Sequence, residues 1–483
     1  MTTPQFTAYQ IKHAYGANWF LTSDSPNVDA LVSHIKEMIE QGESRDRGRR
    51  KLDNKLEEVI KLVLLSLFIA YRNSHHFRLM HYPLTKDRYS RGGTYHNDLV
   101  SWTHATNVIN GLIKLELLTP LDKIKGTGHL NPRVYVTDAL IALFNRYEWK
   151  PSDIKQSLDM PVLRLKDEKR QLVEFGDTPE TKLMTRNLRR LNKVIDNANI
   201  SLLITDDEIP YAKGYSEDGK FPKDHYSIDF SRKVLYRVFN VSSFEQGGRF
   251  YGGWWQGIKS EYRGYILIDG KSTVEVDYSA MQVFILYAMK EKRLPNGGSG
   301  DPYDLSAHGF PSENEEQREA ERKKTKKLFS TLINIDKDSN MAKAKPSERT
   351  CALMKKHHAI KDTFYVPTTG RTTQFLDSQI AERVMLILAE KNITCLPIHD
   401  SFIVQAEYKD DLEKAMRESF TDIMGTEHAP DKDIEFPIHR GIDILAVMES
   451  YEGSKHLYST FLIVTGKLYV FIWSMFCTHN VCK

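Results

Sequence analysis

The sequence predicts an α+β protein: helical patterns dominate its first half, and strand patterns carrying isolated acids mark its second. Three segments carry that expectation. LEEVIKLVLLSLFIA, residues 56–70, places apolar side chains at helical spacing. STVEVDYSAMQVFILYAM alternates as a strand into Asp277 and then becomes an apolar helical run. NITCLPIHDSFIVQAE is two β-rich runs meeting at His399, Asp400 and Ser401, a hairpin with its acid at the tip.

Composition sets the outer bounds. With 483 residues, 41% apolar, 11% aromatic and 27% charged, the chain has material for large cores, which excludes disordered, collagen-like and disulfide-scaffold classes. At roughly 150 residues per domain it has room for about three domains. The 67 basic and 64 acidic residues leave a net charge of +3, so any polyanion site must come from local clustering. Four cysteines, none in a CxxC pair, give neither a disulfide framework nor zinc-ligand spacing. MTTPQFTAYQIKHAYG lacks the basic start and apolar core of a signal peptide, so a cytoplasmic, reducing location is expected. The apolar stretch from Leu457 is interrupted by Lys467 and by Gly, Ser and Thr, and reads as an apolar tail, with no membrane partner expected.

Along the chain, Ser101 to Leu121 reads as a Ser-capped helix with an apolar stripe through Val108, Leu112 and Leu115. A Gly-turned basic hairpin, the β-rich RVYVT run and another apolar helix follow. That order resembles a winged helix-turn-helix module, the alternative being a helical domain with a surface hairpin. The resemblance puts Thr103, His104, Asn107 and Lys114 toward a groove and Lys123, Lys125 and His129 on the wing. Further on, TKLMTRNLRRLNKVIDNA reads as a basic helix, either a solvated face or a nucleic-acid backbone contact, and KVLYRVFNV as a strand. Asp206 and Glu208 read as a turn. PNGGSGDP, residues 295–302, is the clearest loop.

The chemistry-bearing residues lie after residue 245. Asp277 at the end of a buried strand is costly unless paired or bound to a cation; alternatively it caps the next helix. Asp400 is 123 positions away, so only strands lying side by side make one site of the two. Between them EAERKKTKKLFSTLIN is a strong helix former, with Arg322, Lys326 and Phe329 on one stripe. Two cations one turn apart are either a solvated face or an anion site.

Strand acid, cationic helix and hairpin acid, in that order, resemble motifs A, B and C of the family A DNA polymerases and the related single-subunit phage-type RNA polymerases. DYSAMQVFILYA, from Asp277, Tyr278 and Ser279, is similar to the first motif of the DNA enzymes; Arg322 and Lys326 match the Arg-x3-Lys spacing; IHDSF, residues 398–402, matches the RNA-polymerase form of the third. GGRF at residues 247–250 is similar to the element that touches primer–template. QFLDSQIAERVMLILAEK resembles the helix leading into the third motif, with Ser378 and Gln379 in place. The likeness spans about 246 to 449.

That resemblance implies a right-hand polymerase palm built on an antiparallel sheet, with helical fingers, preceded by a mainly helical, winged-helix-like N-terminal region. The implied boundaries are 1–150 for the DNA-binding domain, 151–245 for a thumb-like or connecting region, 246–450 for palm and fingers (fingers about 291–384) and 451–483 for the tail. It implies template-directed nucleotidyl transfer by a DNA-directed DNA polymerase without proofreading, with a primase or RNA polymerase, or a non-catalytic DNA-binding initiator, as alternatives. The implied cofactor is a pair of Mg2+ ions, with Mn2+ as a substitute, held by Asp277, Asp400 and the main-chain carbonyl of Tyr278. Lys326 would protonate the leaving pyrophosphate; Arg322, Lys326, Gln282 and Tyr278 would contact the nucleoside triphosphate; Arg249, His399 and Gln379 would contact the DNA primer–template. Accessory replication proteins are left unspecified.

Three departures qualify this reading. Gln282 stands where the DNA enzymes carry a Glu that crowds the sugar 2′ position; its near-isosteric side chain leans toward deoxynucleotides. Asn334-Ile335 replaces the Tyr-Gly that ends the fingers helix. Ser401 replaces the Glu of the DNA enzymes' third motif. Trp254 and Trp255 read as packing in preference to base stacking.

Overall fold

The computed structural model describes residues 6–43, 54–73, 77–83, 85–89, 92–121, 131–217, 223, 226–278, 280–292, 294–295, 300–425 and 438–440. Two hydrophobic clusters organise them, one drawn from residues between Leu21 and Ile154, the other from residues between Val162 and Phe420.

Strand β1 (Tyr15–Gly16), helices α1 (Pro26–Glu43) and α2 (Asn54–Arg72), strand β2 (Leu79–His81), helix α3 (Trp102–Lys114), strands β3 (Leu118–Pro120) and β4 (Arg133–Val136) and helix α4 (Asp138–Arg146) build the first cluster. The strands pair in the order β1-β2-β4-β3. The apolar stripe of α2 is buried along its length, including Val59, Ile60, Val63, Leu64 and Leu67. Ser101 caps α3 as its sequence predicts, its Oγ accepting the His104 amide at 3.2 Å. The helix ends at Lys114, earlier than the expected Leu121. Glu116 turns at φ 57°, and Pro120 lacks the amide that a continuing helix requires, so Leu118–Pro120 joins the sheet. Thr103, Asn107 and Lys114 are exposed and His104 is half-buried; Lys123, Lys125 and His129 lie outside the described residues.

Strand β5 (Leu163–Leu165), helix α5 (Pro179–Asn197), strands β6 (Ile200–Leu202), β7 (Tyr236–Asn240), β8 (Ser243–Tyr251), β9 (Ile266–Ile268) and β10 (Lys271–Tyr278), and helices α6 (Met281–Met289), α7 (Glu315–Leu332), α8 (Glu348–Lys356) and α9 (Pro367–Glu390) come next. Strands β11 (Leu396–Ile398) and β12 (Ser401–Gln405), helix α10 (Lys409–Met424) and strand β13 (Ile438–Arg440) follow. The main sheet has the order β11-β12-β10-β9-β6, with β13 added at the C-terminal end of β10. Its strand neighbours run antiparallel. This is a mixed α/β chain whose main sheet is antiparallel, with helices packed against it.

The region around 151–245 does not form a core of its own: Leu163, Leu188, Leu191 and Ile195 share the cluster that holds Val276 and Tyr278. Helix α5 buries Leu188, Leu191 and Ile195 and exposes Lys182, Arg186, Arg189, Arg190 and Lys193. Asp206 and Glu208 sit in the expected turn, the Glu208 carboxylate accepting the Thr205 amide at 2.8 Å. Trp254 and Trp255 are buried, and Trp255 Nε1 donates to the Pro397 carbonyl at 3.2 Å. Packing under β11 is therefore their role.

A buried ion pair ties the small β7–β8 hairpin to α9. Arg237 is fully buried, with Nη1 2.7 Å from Glu382 Oε2, Nη2 donating to Ser378 Oγ at 2.8 Å and Nε donating to the Gly248 carbonyl at 2.8 Å. Gly247 and Gly248 both adopt φ 83°; at Gly248 a Cβ would lie 2.8 Å from Ser378 Oγ, so glycine permits this close approach. Among the described residues no helix is long and apolar enough to cross a membrane. The tail at 451–483 lies outside them.

Glu382→Ala strands the Arg237 charge in the core and should destabilise the protein by about 3–5 kcal/mol, read by urea unfolding. An Arg237→Met/Glu382→Leu double variant, which removes both charges, should lose markedly less.

Candidate active site

Strand alternation sets the site. On β10 Val276 and Tyr278 point into the core, and Glu275 and Asp277 point to the opposite, partly exposed face. The β10–β12 register places Asp277 opposite Ser401, the residue after Asp400. The Tyr278 amide donates to the Asp400 carbonyl at 3.3 Å, which locks the tip of the β11–β12 hairpin beside the end of β10. The sequence thus brings its two acids, 123 positions apart, to one place. Asp277 does not cap α6, since Ala280 occupies that position; Ser279 lies outside the described residues.

Two carboxylates this close cannot both ionise at their ordinary cost. Burial, reinforced by the charge of Asp400, pushes Asp277 from 3.8 up to about 8, while Lys326 pulls the other way. Asp277 Oδ1 is buried and has no hydrogen-bond partner. A buried carboxylate oxygen with nothing to accept from, beside a second carboxylate, is what a divalent cation satisfies, so the residues present fit one. Among the described residues no group of three or more His, Cys, Asp or Glu side chains forms a metal cluster; the expected donor set is two carboxylates and a carbonyl.

The cationic stripe of α7 lies close enough for the Lys326 charge to act on Asp277. Lys326 is exposed, without an ion-pair partner among the described residues. Arg322 is not left to solvent: its Nε donates to Asp301 Oδ2 at 2.7 Å, and its guanidinium lies 5.4 Å from the Tyr303 ring centroid. Phe329, the third member of the stripe, is buried with its ring 5.9 Å from that of Tyr303. Tyr303 is buried, which raises its pKa, and it senses both Asp400 and Asp277. Beside it a small pocket is lined by Asp301, Tyr303, Phe310, Arg318, Arg322 and Arg349.

A second charged group lies behind the hairpin tip. Arg249 contacts buried Asp377 on α9, with Nη2 2.9 Å and Nε 3.0 Å from Oδ2. Burial raises Asp377 to about 6 despite Arg249, with Asp400 adding to the rise. His399 adopts φ 57°, an uncommon backbone state for a non-glycine residue, and its Nδ1 is buried without a partner. Burial lowers its pKa, and the positive charge of Arg249 lowers it further.

The expected residues therefore separate into groups. Asp277, Asp400 and Lys326 act on one another through their charges, and Arg322 lies beside Tyr303, which senses both acids. Arg249 and His399 lie next to Asp400, with Arg249 engaged by Asp377. The Tyr278 side chain turns away, Oη donating to the Met416 carbonyl at 2.5 Å, so a direct nucleotide contact from that ring is replaced by a core role and only its backbone borders the site. Gln282, in the first turn of α6, and Gln379, beside Ser378 on α9, are both half-buried. Sequence reading missed Glu275, Arg263, Asp301, Tyr303 and Asp377. Of these only Glu275 had a legible signal, two positions before Asp277 on the same strand face.

No family model matches the chain, and no curated protein matches it. Among solved structures, the POL domain of Pol1 from M. smegmatis, in complex with DNA primer–template and dNTP, is similar over 82% of this chain and 70% of that one, at 12% identity and a TM-score of 0.30. A likeness of that degree carries no argument, and the site stands on its own geometry.

The raised Asp277 pKa has a thermodynamic consequence. Its neutral form supports folding fully below about pH 4, and that support is lost as pH rises toward about 8. In metal-free buffer with EDTA, Asp277→Asn should therefore gain Tm over wild type progressively between pH 5 and pH 8.5, by differential scanning fluorimetry. A pH-independent difference would contradict the burial of this acid.

Proposed function

We propose that the chain is a template-directed nucleotidyl transferase, and within that class a DNA-directed DNA polymerase. The observation that carries the reading is the convergence of Asp277 and Asp400 on adjacent strands, with an unsatisfied buried Oδ1, opposite the Arg322–Lys326 face of α7. In this reading the antiparallel sheet with α10 is the palm, and α7, α8 and most of α9 belong to the fingers.

Asp277, Asp400 and the Tyr278 carbonyl would hold two Mg2+ ions, or Mn2+ in their place. When bound, the ions supply activation of the attacking 3′ hydroxyl and neutralisation of charge on the departing pyrophosphate. The chain's own residues do the rest. Arg322 is suited to grip phosphate oxygens bidentately once it exchanges Asp301 for the triphosphate. Lys326, exposed and close enough for its charge to act on Asp277, would hold a proton for the leaving pyrophosphate oxygen. Gln282 offers an amide to the sugar, in keeping with deoxynucleotide use. Behind the tip, Arg249, held by Asp377, stands with His399 where the primer terminus would meet the acids, and Gln379 is offered to the template from α9.

Two further surfaces suit a nucleic-acid partner. Lys182, Arg186, Arg189 and Lys193 recur at i, i+4, i+7 and i+11 on α5, and the last three have no ion-pair partner among the described residues. The strand order β2-β4-β3 with α2 and α3 supports a winged-helix-like module presenting Thr103, Asn107 and Lys114.

Wild type should incorporate dNTPs on a primed template only with Mg2+ or Mn2+, and Asp277→Asn or Asp400→Asn should lower the rate by about 10³-fold or more. Equal rates in the acid variants would defeat the proposal; primer-free RNA synthesis with no dNTP use would replace DNA polymerase by primase or RNA polymerase. An Arg186→Glu/Arg189→Glu/Lys193→Glu variant should bind primer–template more weakly, its salt dependence reduced by roughly one in slope per lost phosphate contact, measured by fluorescence anisotropy.

A further inference from the structure

Ser401 stands opposite Asp277 with a hydroxyl in place of a carboxylate, and its partners show what that hydroxyl does. Its Oγ donates to Glu275 Oε1 at 2.7 Å and lies 3.2 Å from the Ile398 carbonyl. Ile398 and Ser401 are the two ends of the turn that carries His399 and Asp400, and Glu275 belongs to the strand that carries Asp277. The hydroxyl therefore fastens the Asp400 turn to the neighbouring strand. The same Glu275 oxygen accepts from Arg263 Nη1 at 2.6 Å, and Arg263, at the end of the short Ser260–Arg263 helix, also donates from Nε to the Ile258 carbonyl at 3.4 Å.

The pair is mostly sheltered, with Arg263 at 18% and Glu275 at 20% side-chain exposure. A free surface pair contributes little, but a sheltered one whose acceptor also receives a hydroxyl hydrogen bond fixes geometry. Alternation puts Glu275 on the same strand face as Asp277. Arg263 balances its charge, so that a third carboxylate is retained near two others.

We propose that Glu275 is a positioning residue of the metal site: through Ser401, and held by Arg263, it sets the distance between Asp400 and Asp277 and thereby the affinity for the divalent cation. This rests on the polymerase reading of the same site.

The test is Mn2+ binding to the full chain with primer–template present, followed by the free-ion signal in electron paramagnetic resonance, in wild type, Glu275→Ala, Glu275→Gln, Ser401→Ala and Ser401→Thr. Glu275→Ala and Ser401→Ala should raise the Mn2+ dissociation constant by about 10-fold or more. Ser401→Thr, which keeps the hydroxyl on a strand-compatible side chain, should stay within about 3-fold of wild type. The metal concentration for half-maximal dNTP incorporation should rise in parallel, with the rate at saturating metal less affected. Should an alanine variant fail to melt cooperatively, Glu275→Gln decides: it keeps the acceptor for Ser401 but loses the charge facing Arg263, and should bind Mn2+ more weakly than wild type. Unchanged Mn2+ affinity in folded Glu275→Ala and Ser401→Ala, with wild type binding normally, overturns this inference alone. Wild type that binds no Mn2+ overturns the polymerase reading together with it.

Discussion

The antiparallel pairing of β10 with β12 is the constraint on which everything else depends. A register shift of one residue would turn Asp277 into the core and bring Val276 to the cleft. The protein guards against this from both faces. Below, Tyr278 and Phe402 pack edge to face at 6.4 Å, and the Tyr278 hydroxyl is anchored on α10. Above, Ser401 reaches Glu275 across the strand pair. The hydrophobic contacts set the register, and the acids are carried into place by it at an electrostatic cost visible in the raised pKa of Asp277.

Charge around that pair is arranged in steps. Three acids near the site are paired with cations: Asp377 with Arg249, Glu275 with Arg263 and Asp301 with Arg322. Asp277 keeps one carboxylate oxygen without any partner, and Lys326 faces it from the helix without an ion pair among the described residues. Such a gap in an otherwise compensated network is where a ligand of opposite charge gains most, because the desolvation cost has already been met by folding. Under the proposed function, the Asp301–Arg322 pair would add an exchange, a triphosphate taking over the contact that Arg322 makes with Asp301.

Much of this was legible in the sequence, and the reasons differ by residue. The alternation before Asp277 and around Asp400 showed two strands, and the helical stripe showed Arg322, Lys326 and Phe329 on one face; these are local periodicities, and the structure repeats them. The buried tryptophans were also correctly read as packing. What local pattern cannot contain is partnership. Asp377 lies in mid-helix and looks like any surface acid until the fold sets Arg249 against it across 128 positions. Asp301 and Tyr303 follow a glycine-rich loop with no periodicity to place them. The early end of α3 turned on the positive φ of Glu116, which residue type does not announce. The resemblance puts Tyr278 at the nucleotide, yet strand alternation sends its ring to the opposite face.

The central claim is that a buried, protonated Asp277 gives up its proton when a divalent cation joins it to Asp400. Calorimetric titration of Mg2+ into the full chain with primer–template at pH 7, in buffers of different ionisation enthalpy, counts that proton directly. The account predicts release of about one proton per chain in wild type and none in Asp277→Asn. Cation binding with no proton release in wild type would contradict it.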